Sequence, residues 1–80
     1  MKFSRQKHST VTTYHATAED GTTFEIQPRE GLTWQDPRYW VLFLDGSLLR
    51  IGHNQRPRRF RTLADAKAYA EILRERLCLV

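Results

Sequence analysis

"YWVLFLDGSLLRIG", residues 39–52, decides how this chain folds. Two apolar runs flank Asp45-Gly46, and Asp-Gly between such runs is the strongest short-range hairpin signal, because a type I′ turn needs positive φ at both central residues. A two-residue turn also sets the register. Leu44 then faces Ser47, Leu42 faces Leu49 and Trp40 faces Ile51 on one side of the sheet, leaving Tyr39, Val41, Phe43, Leu48 and Arg50 for the other.

Upstream, Val11, Thr12, Thr13, Tyr14 and Thr17, then Thr22, Thr23, Phe24 and Ile26, are β-formers on either side of "AEDG", residues 18–21. They predict a first hairpin. Tyr14 and Ala16 alternate with Thr13 and His15, and Phe24 and Ile26 with Glu25 and Gln27, so this hairpin has one buried and one wet face. Pro28 is expected to close its second strand. Residues 1–10 are polar and mixed, with Met1 and Phe3 as the only anchors, and read as a loose start or a short edge strand. "REGLTWQDP", residues 29–37, is a connection with turn chemistry at Gly31 and Asp36-Pro37. Its Trp34 serves either as a lid over the core or as an apolar anchor for a partner.

Downstream, "TLAD", residues 62–65, opens a helix: Thr62 caps the first turn and Asp65 answers three residues later. Leu63, Ala66, Tyr69, Ala70, Leu73 and Leu77 form one stripe, with Asp65, Lys67, Glu71, Arg74 and Glu75 outside it. The whole reads as one α+β domain over residues 1–80, ββββα in order: a four-stranded antiparallel sheet of two hairpins packed by one C-terminal helix. Its expected core is Tyr14, Phe24, Ile26, Trp40, Leu42, Leu49, Ile51, Phe60, Leu63, Ala66, Ala70, Leu73 and Leu77.

Eighty residues bury only roughly 60% of the unfolded chain's surface, which leaves a thin core and little room for an enzyme cleft. The longest apolar run, "YWVLFL", is far too short to span a bilayer, and the start has no apolar signal region, so neither a membrane span nor secretion is expected. The single Cys78 cannot form an internal disulfide and suits a reducing cytoplasm. The expected state is a monomer or weak homodimer.

Catalytic constellations are missing. His8, His15 and His53 have neither the spacing nor the companions of a metal site, and Cys78 has no base beside it in sequence. Glu19-Asp20 is a turn, and Glu71 and Glu75 lie on a solvated helix face. Gly21, Gly31, Gly46 and Gly52 are isolated, so no phosphate loop exists. The expectation is a non-enzymatic binding protein with no cofactor, no metal and no small-molecule substrate.

What remains is charge. Thirteen Lys and Arg oppose nine Asp and Glu, and the excess is local: no acid falls between Asp45 and Asp65, where Arg50, Arg56, Arg58, Arg59 and Arg61 are found. A weaker cluster is Lys2, Arg5 and Lys7. Pro57 stiffens "RPRRFR" and is expected to keep it out of any ladder, so that Arg56, Arg58 and Arg59 project from a loop while Phe60 turns inward. Arg50 extends the patch. Guanidinium groups so presented make bidentate contacts to phosphate or carboxylate. The plainer alternative is a solvated loop paired with Glu19, Asp20, Glu25 or Glu30. Tyr39, Val41 and Phe43 either stack nucleic-acid bases or form a second core layer.

Tyr39 to Val41, Asp45-Gly46, Arg58 to Thr62 and Asp65-Ala66 resemble pieces of the arm-type DNA-binding module of phage-type integrases, a short sheet followed by one helix. That resemblance implies a module that binds DNA without cutting it. In size and plan the chain also resembles the small, single-domain proteins of phages and prophages, among them the anti-CRISPR inhibitors of type I effector complexes. This second resemblance implies an inhibitor that occludes a DNA-receiving surface of a host protein complex. The leading expectation is such an inhibitor and the runner-up is a DNA-binding module of a mobile element. In both, the contacts come from Arg50, Arg56, Arg58, Arg59 and Arg61, with Trp34, Tyr39 and Phe43 as aromatic anchors.

Overall fold

The computed structural model describes residues 2–8, 11–31 and 38–78, the side chains of His8, Leu77 and Cys78 excepted. An antiparallel meander of five strands runs in chain order: β1 (Ser4–His8), β2 (Val11–Thr17), β3 (Thr23–Arg29), β4 (Tyr39–Leu44) and β5 (Ser47–Leu48). A separate two-stranded ribbon, β6 (Arg50–Ile51) and β7 (Arg56–Pro57), follows, and then helix α1 (Leu63–Cys78). The α+β class agrees with the sequence reading. The strand count does not, because the polar start forms an edge strand and the second hairpin divides.

Each turn follows from its residues. Asp45 and Gly46 have φ of 50° and 84°, as a type I′ turn requires, and the predicted pairing of Leu44 with Ser47 is present. The Asp45 carboxylate also accepts from the amide and the hydroxyl of Thr23, at 2.9 and 3.3 Å, and so ties this turn to the start of β3. At the first hairpin Gly21 takes φ 93°, and the Asp20 carboxylate accepts the Thr22 amide at 2.9 Å. That bond holds the Asp20 carboxyl below its usual range.

Pro28 does not end its strand. It lies inside β3, opposite Trp40, and β3 runs on to Arg29. The reason is one-sided pairing: Pro28 has no amide hydrogen to give toward β2, and the β2–β3 ladder stops at Tyr14 and Ile26, while the β3–β4 ladder continues.

The helix packs on one face of β3 and β4. Phe24, Ile26, Leu42, Phe60, Ala66 and Ala70 are buried together with Ala18, and Phe3, Tyr14, Trp40, Leu44, Leu49, Leu63, Tyr69 and Leu73 pack around them. Ala66 and Ala70 have no measurable exposure and are one helical turn apart; their small side chains let the helix approach the sheet. Thr62 caps the helix, its Oγ1 accepting the Asp65 amide at 3.1 Å. Ile51, expected in the core, is 43% exposed instead. Leu77 and Trp34 fall among the side chains and residues outside the description.

Candidate functional site

The predicted register of the second hairpin holds for its first pairs and then breaks. Leu49 still donates to the Leu42 carbonyl at 2.8 Å, but Trp40 pairs with Phe60 and not with Ile51. Phe60 is 4% exposed, with its ring 5.3 Å from that of Tyr69 on α1, an aromatic contact that Ile51 could not make at this position. Because the chain leaves β4 after Leu49 and rejoins it at Phe60, the intervening residues are pushed off the sheet edge. The return is pinned where the Arg58 amide donates to the Leu49 carbonyl at 3.0 Å.

Residues 50–57 form that excursion, and every one of them is exposed. Arg50 pairs with Pro57 and Ile51 with Arg56, so Pro57 does sit in a ladder, contrary to expectation. A two-stranded ribbon consists only of edges, where a missing amide is tolerated. The tip, "GHNQ", is held from inside. Gln55, at φ 54°, donates its amide and its side-chain nitrogen to the Gly52 carbonyl at 3.2 and 3.3 Å, and Arg50 Nη1 donates to the Gln55 carbonyl at 2.9 Å. Arg50 is therefore a brace of the ribbon more than an outward contact. His53 and Asn54 stand exposed between these braces.

At the root of the ribbon the arginines lie on rings. The Arg59 guanidinium carbon is 4.5 Å from the Tyr39 ring centroid, and that of Arg58 is 5.2 Å from Phe60 and 5.7 Å from Tyr69. A guanidinium held over a ring by cation–π attraction is positioned without a carboxylate and still has N–H donors to offer an anion. Arg56 and Arg61 are exposed on either side. Arg58 and Arg59 thus do not project freely from a loop; they are oriented by aromatic surfaces.

Among the described residues, none of these five arginines forms an ion pair with a carboxylate. Glu25 is taken by His15 and by Gln27, at 3.4 and 2.8 Å, Glu30 by Arg38 at 3.0 Å, and Asp20 by its own turn. Of the four acids expected to pair with a solvated loop, Glu25, Glu30 and Asp20 are engaged elsewhere, and exposed Glu19 forms no ion pair with these arginines among the described residues. Asp65 lines a shallow cleft of about 430 Å3 with Arg58, Arg59, Arg61, Tyr69 and Ile72, without closing on any of the arginines.

The sheet face opposite the helix carries Val41, 2% exposed, and half-buried Tyr39 and Phe43. Their rings are capped: Arg59 covers Tyr39, and Arg29 lies 5.9 Å over Phe43. Arg29 was not anticipated from the sequence; it lies opposite Tyr39 on the same sheet face, four positions along β3 from Glu25, which faces Phe43, and its long side chain reaches back to that ring. Among the described residues there is no cluster of His, Cys, Asp and Glu able to hold a metal, and no helix long and apolar enough to cross a membrane. Compared with family models, with curated proteins and with solved structures, the chain matches none.

Proposed function

We propose that this chain is a non-enzymatic binding domain for nucleic acid, engaging phosphates through Arg58 and Arg59, with Arg56 and Arg61 beside them. The observation that carries this is the pair of ring-stacked guanidiniums without a carboxylate partner among the described residues. A stacked arginine has already lost much of its side-chain freedom, so less entropy is given up when a phosphate docks. Four cations along Arg56–Arg61, two of them held over rings, suit a ligand with closely repeated negative charge, as on a nucleic-acid backbone.

Occlusion of a DNA-receiving surface on a host effector complex is the second reading. Ile72, 46% exposed in the cleft beside Arg58 and Tyr69, favours a protein partner. Electrostatics ranks it behind the first: a surface that receives DNA is itself cationic, and a rim of like charge is repelled from it.

Salt separates the two. Fluorescence anisotropy with labelled DNA is titrated from about 50 to 200 mM salt, for the wild type and for the chain with Arg56, Arg58 and Arg59 changed to Ala. Phosphate binding gives a log-linear loss, with a slope that falls by about one for each arginine removed. If the wild type binds no DNA at the lowest salt, the nucleic-acid reading is abandoned; a protein captured from host lysate through Ile72 and the same arginines then favours occlusion.

A further inference from the structure

The ribbon has a size, a charge and a tip chemistry that narrow the ligand further. Between the Leu49–Arg58 bond and the tip at His53 and Asn54 there are three residues per arm, two of them in the β6–β7 ladder and the third in the turn over residues 52–55. At roughly 3.3 Å per residue these arms reach at most about 10 Å from the sheet edge. The major groove of duplex DNA is about 8.5 Å deep and about 12 Å wide and admits a two-stranded β-ribbon. A ribbon of this reach places its tip at the base edges while its root remains level with the phosphates, where Arg58, Arg59 and Arg61 are found.

Single-stranded nucleic acid is the poorer fit. Its binding relies on open aromatic faces on which bases stack. Here the rings nearest the arginines are already occupied: Tyr39 by Arg59, Phe60 and Tyr69 by Arg58, and Phe43 by Arg29. The ribbon itself contains no Phe, Trp or Tyr. What it offers at the tip is hydrogen-bonding chemistry. His53 and Asn54 are exposed, with no side-chain hydrogen bond among the described residues, and the turn that carries them is braced by Gln55 and Arg50. An asparagine amide presents a donor and an acceptor side by side, which suits the adjacent N6 and N7 of adenine.

Resting on the nucleic-acid reading, we infer that the ligand is duplex DNA and that β6–β7 enters its major groove, with His53 and Asn54 on base edges and the root arginines on the flanking phosphates. The pre-set tip matters for this use: base-edge contacts are lost over fractions of an ångström, and a braced turn keeps its two side chains in register with the groove.

The test measures affinity for one duplex, for the same duplex with its cytosines replaced by glucosylated 5-hydroxymethylcytosine, which fills the major groove, and for the single strand. The proteins are the wild type, His53→Ala with Asn54→Ala, and the Arg56, Arg58, Arg59 triple alanine variant. The tip residues are exposed, so circular dichroism and thermal melting of the double variant should match the wild type. Expected is at least a tenfold preference for the open duplex over the filled one and over the single strand, with the tip variant losing about tenfold on its preferred sequence, the scale of one bidentate base contact. Equal binding of open and filled duplexes, or tighter binding of the single strand, overturns the inference while leaving the nucleic-acid reading in place. Absence of binding to every DNA overturns both.

Discussion

Phe60 exchanges both backbone hydrogen bonds with Trp40, at 2.8 and 2.9 Å, twenty positions away in the chain. This pairing closes the sheet edge, seats a ring against Tyr69, and expels residues 50–57 as a ribbon. Phe60→Ala is expected to cost about 3–5 kcal/mol, the range for truncating a buried Phe, and Phe60→Leu much less. Urea denaturation of the two variants checks this. Amide exchange in residues 50–57 should quicken in Phe60→Leu before global unfolding does, because the root is loosened first.

Tyr39 and Arg59 make separable contributions to binding. Tyr39→Leu removes the surface on which Arg59 lies and keeps every charge, so DNA affinity should fall several-fold with no change in the salt slope. Arg59→Ala should lower both the affinity and the slope, the latter by about one. Anisotropy titrations at several salt concentrations read both quantities.

The Asp45-Gly46 turn is expected to be sensitive for two distinct reasons. Gly46 has open space where a Cβ would be, so Gly46→Ala is disfavoured by its φ of 84° alone, at about 1 kcal/mol. Asp45→Ala also removes the acceptor for the Thr23 amide and hydroxyl, and should cost about 1–2 kcal/mol. Chemical denaturation of each, and of Asp45→Asn, which keeps an acceptor and tolerates positive φ, separates these terms.

Thr62→Ala should destabilise by about 1 kcal/mol, the usual value of an N-cap side chain. Thr62→Ser is expected to restore nearly all of it, as thermal melts would show.

Asp20 gives the domain a modest acid sensitivity. Its carboxyl is lowered in the folded chain by the Thr22 amide, so the stability it contributes is fully present above its unfolded value, about 3.9, and is lost as pH falls through the lower folded value. The melting temperature of the wild type should therefore drop more steeply below about pH 4 than that of Asp20→Asn. Equal slopes would mean that the turn does not titrate.

Much of the first and second hairpins was legible because their signals are local. Asp45-Gly46 needs only its own backbone preference to set the turn, and the alternation through Tyr14, Ala16, Phe24 and Ile26 picks the face toward the helix; the other face is not wet as expected, because Thr13 is buried there at 5% exposure, on the side of the sheet that holds Val41. The helix was legible from Thr62 and the three- and four-residue spacing that follows. The edge strand Ser4–His8 was legible only as one of two alternatives, a loose start or a short edge strand, since its polar residues carry no alternation and only the open edge of β2 recruits them. The arginine positions were visible as a run without acids, but their geometry was not. Stacking of Arg59 on Tyr39 or of Arg58 on Tyr69 joins residues far apart in the chain, and no spacing rule within "RPRRFR" encodes it.

By itself the sequence determined an α+β domain with an Asp-Gly hairpin, a capped amphipathic helix and an acid-free cationic segment, since each rests on preferences acting over a few neighbouring residues. Only the tertiary structure decided that Phe60 and not Ile51 completes the edge of β4, and therefore that the cationic segment stands off as a braced ribbon with ring-stacked arginines at its root. The physical reason is competition: two segments can pair with Trp40, and the one that seats an aromatic ring against the helix displaces the other, which offers only Ile51.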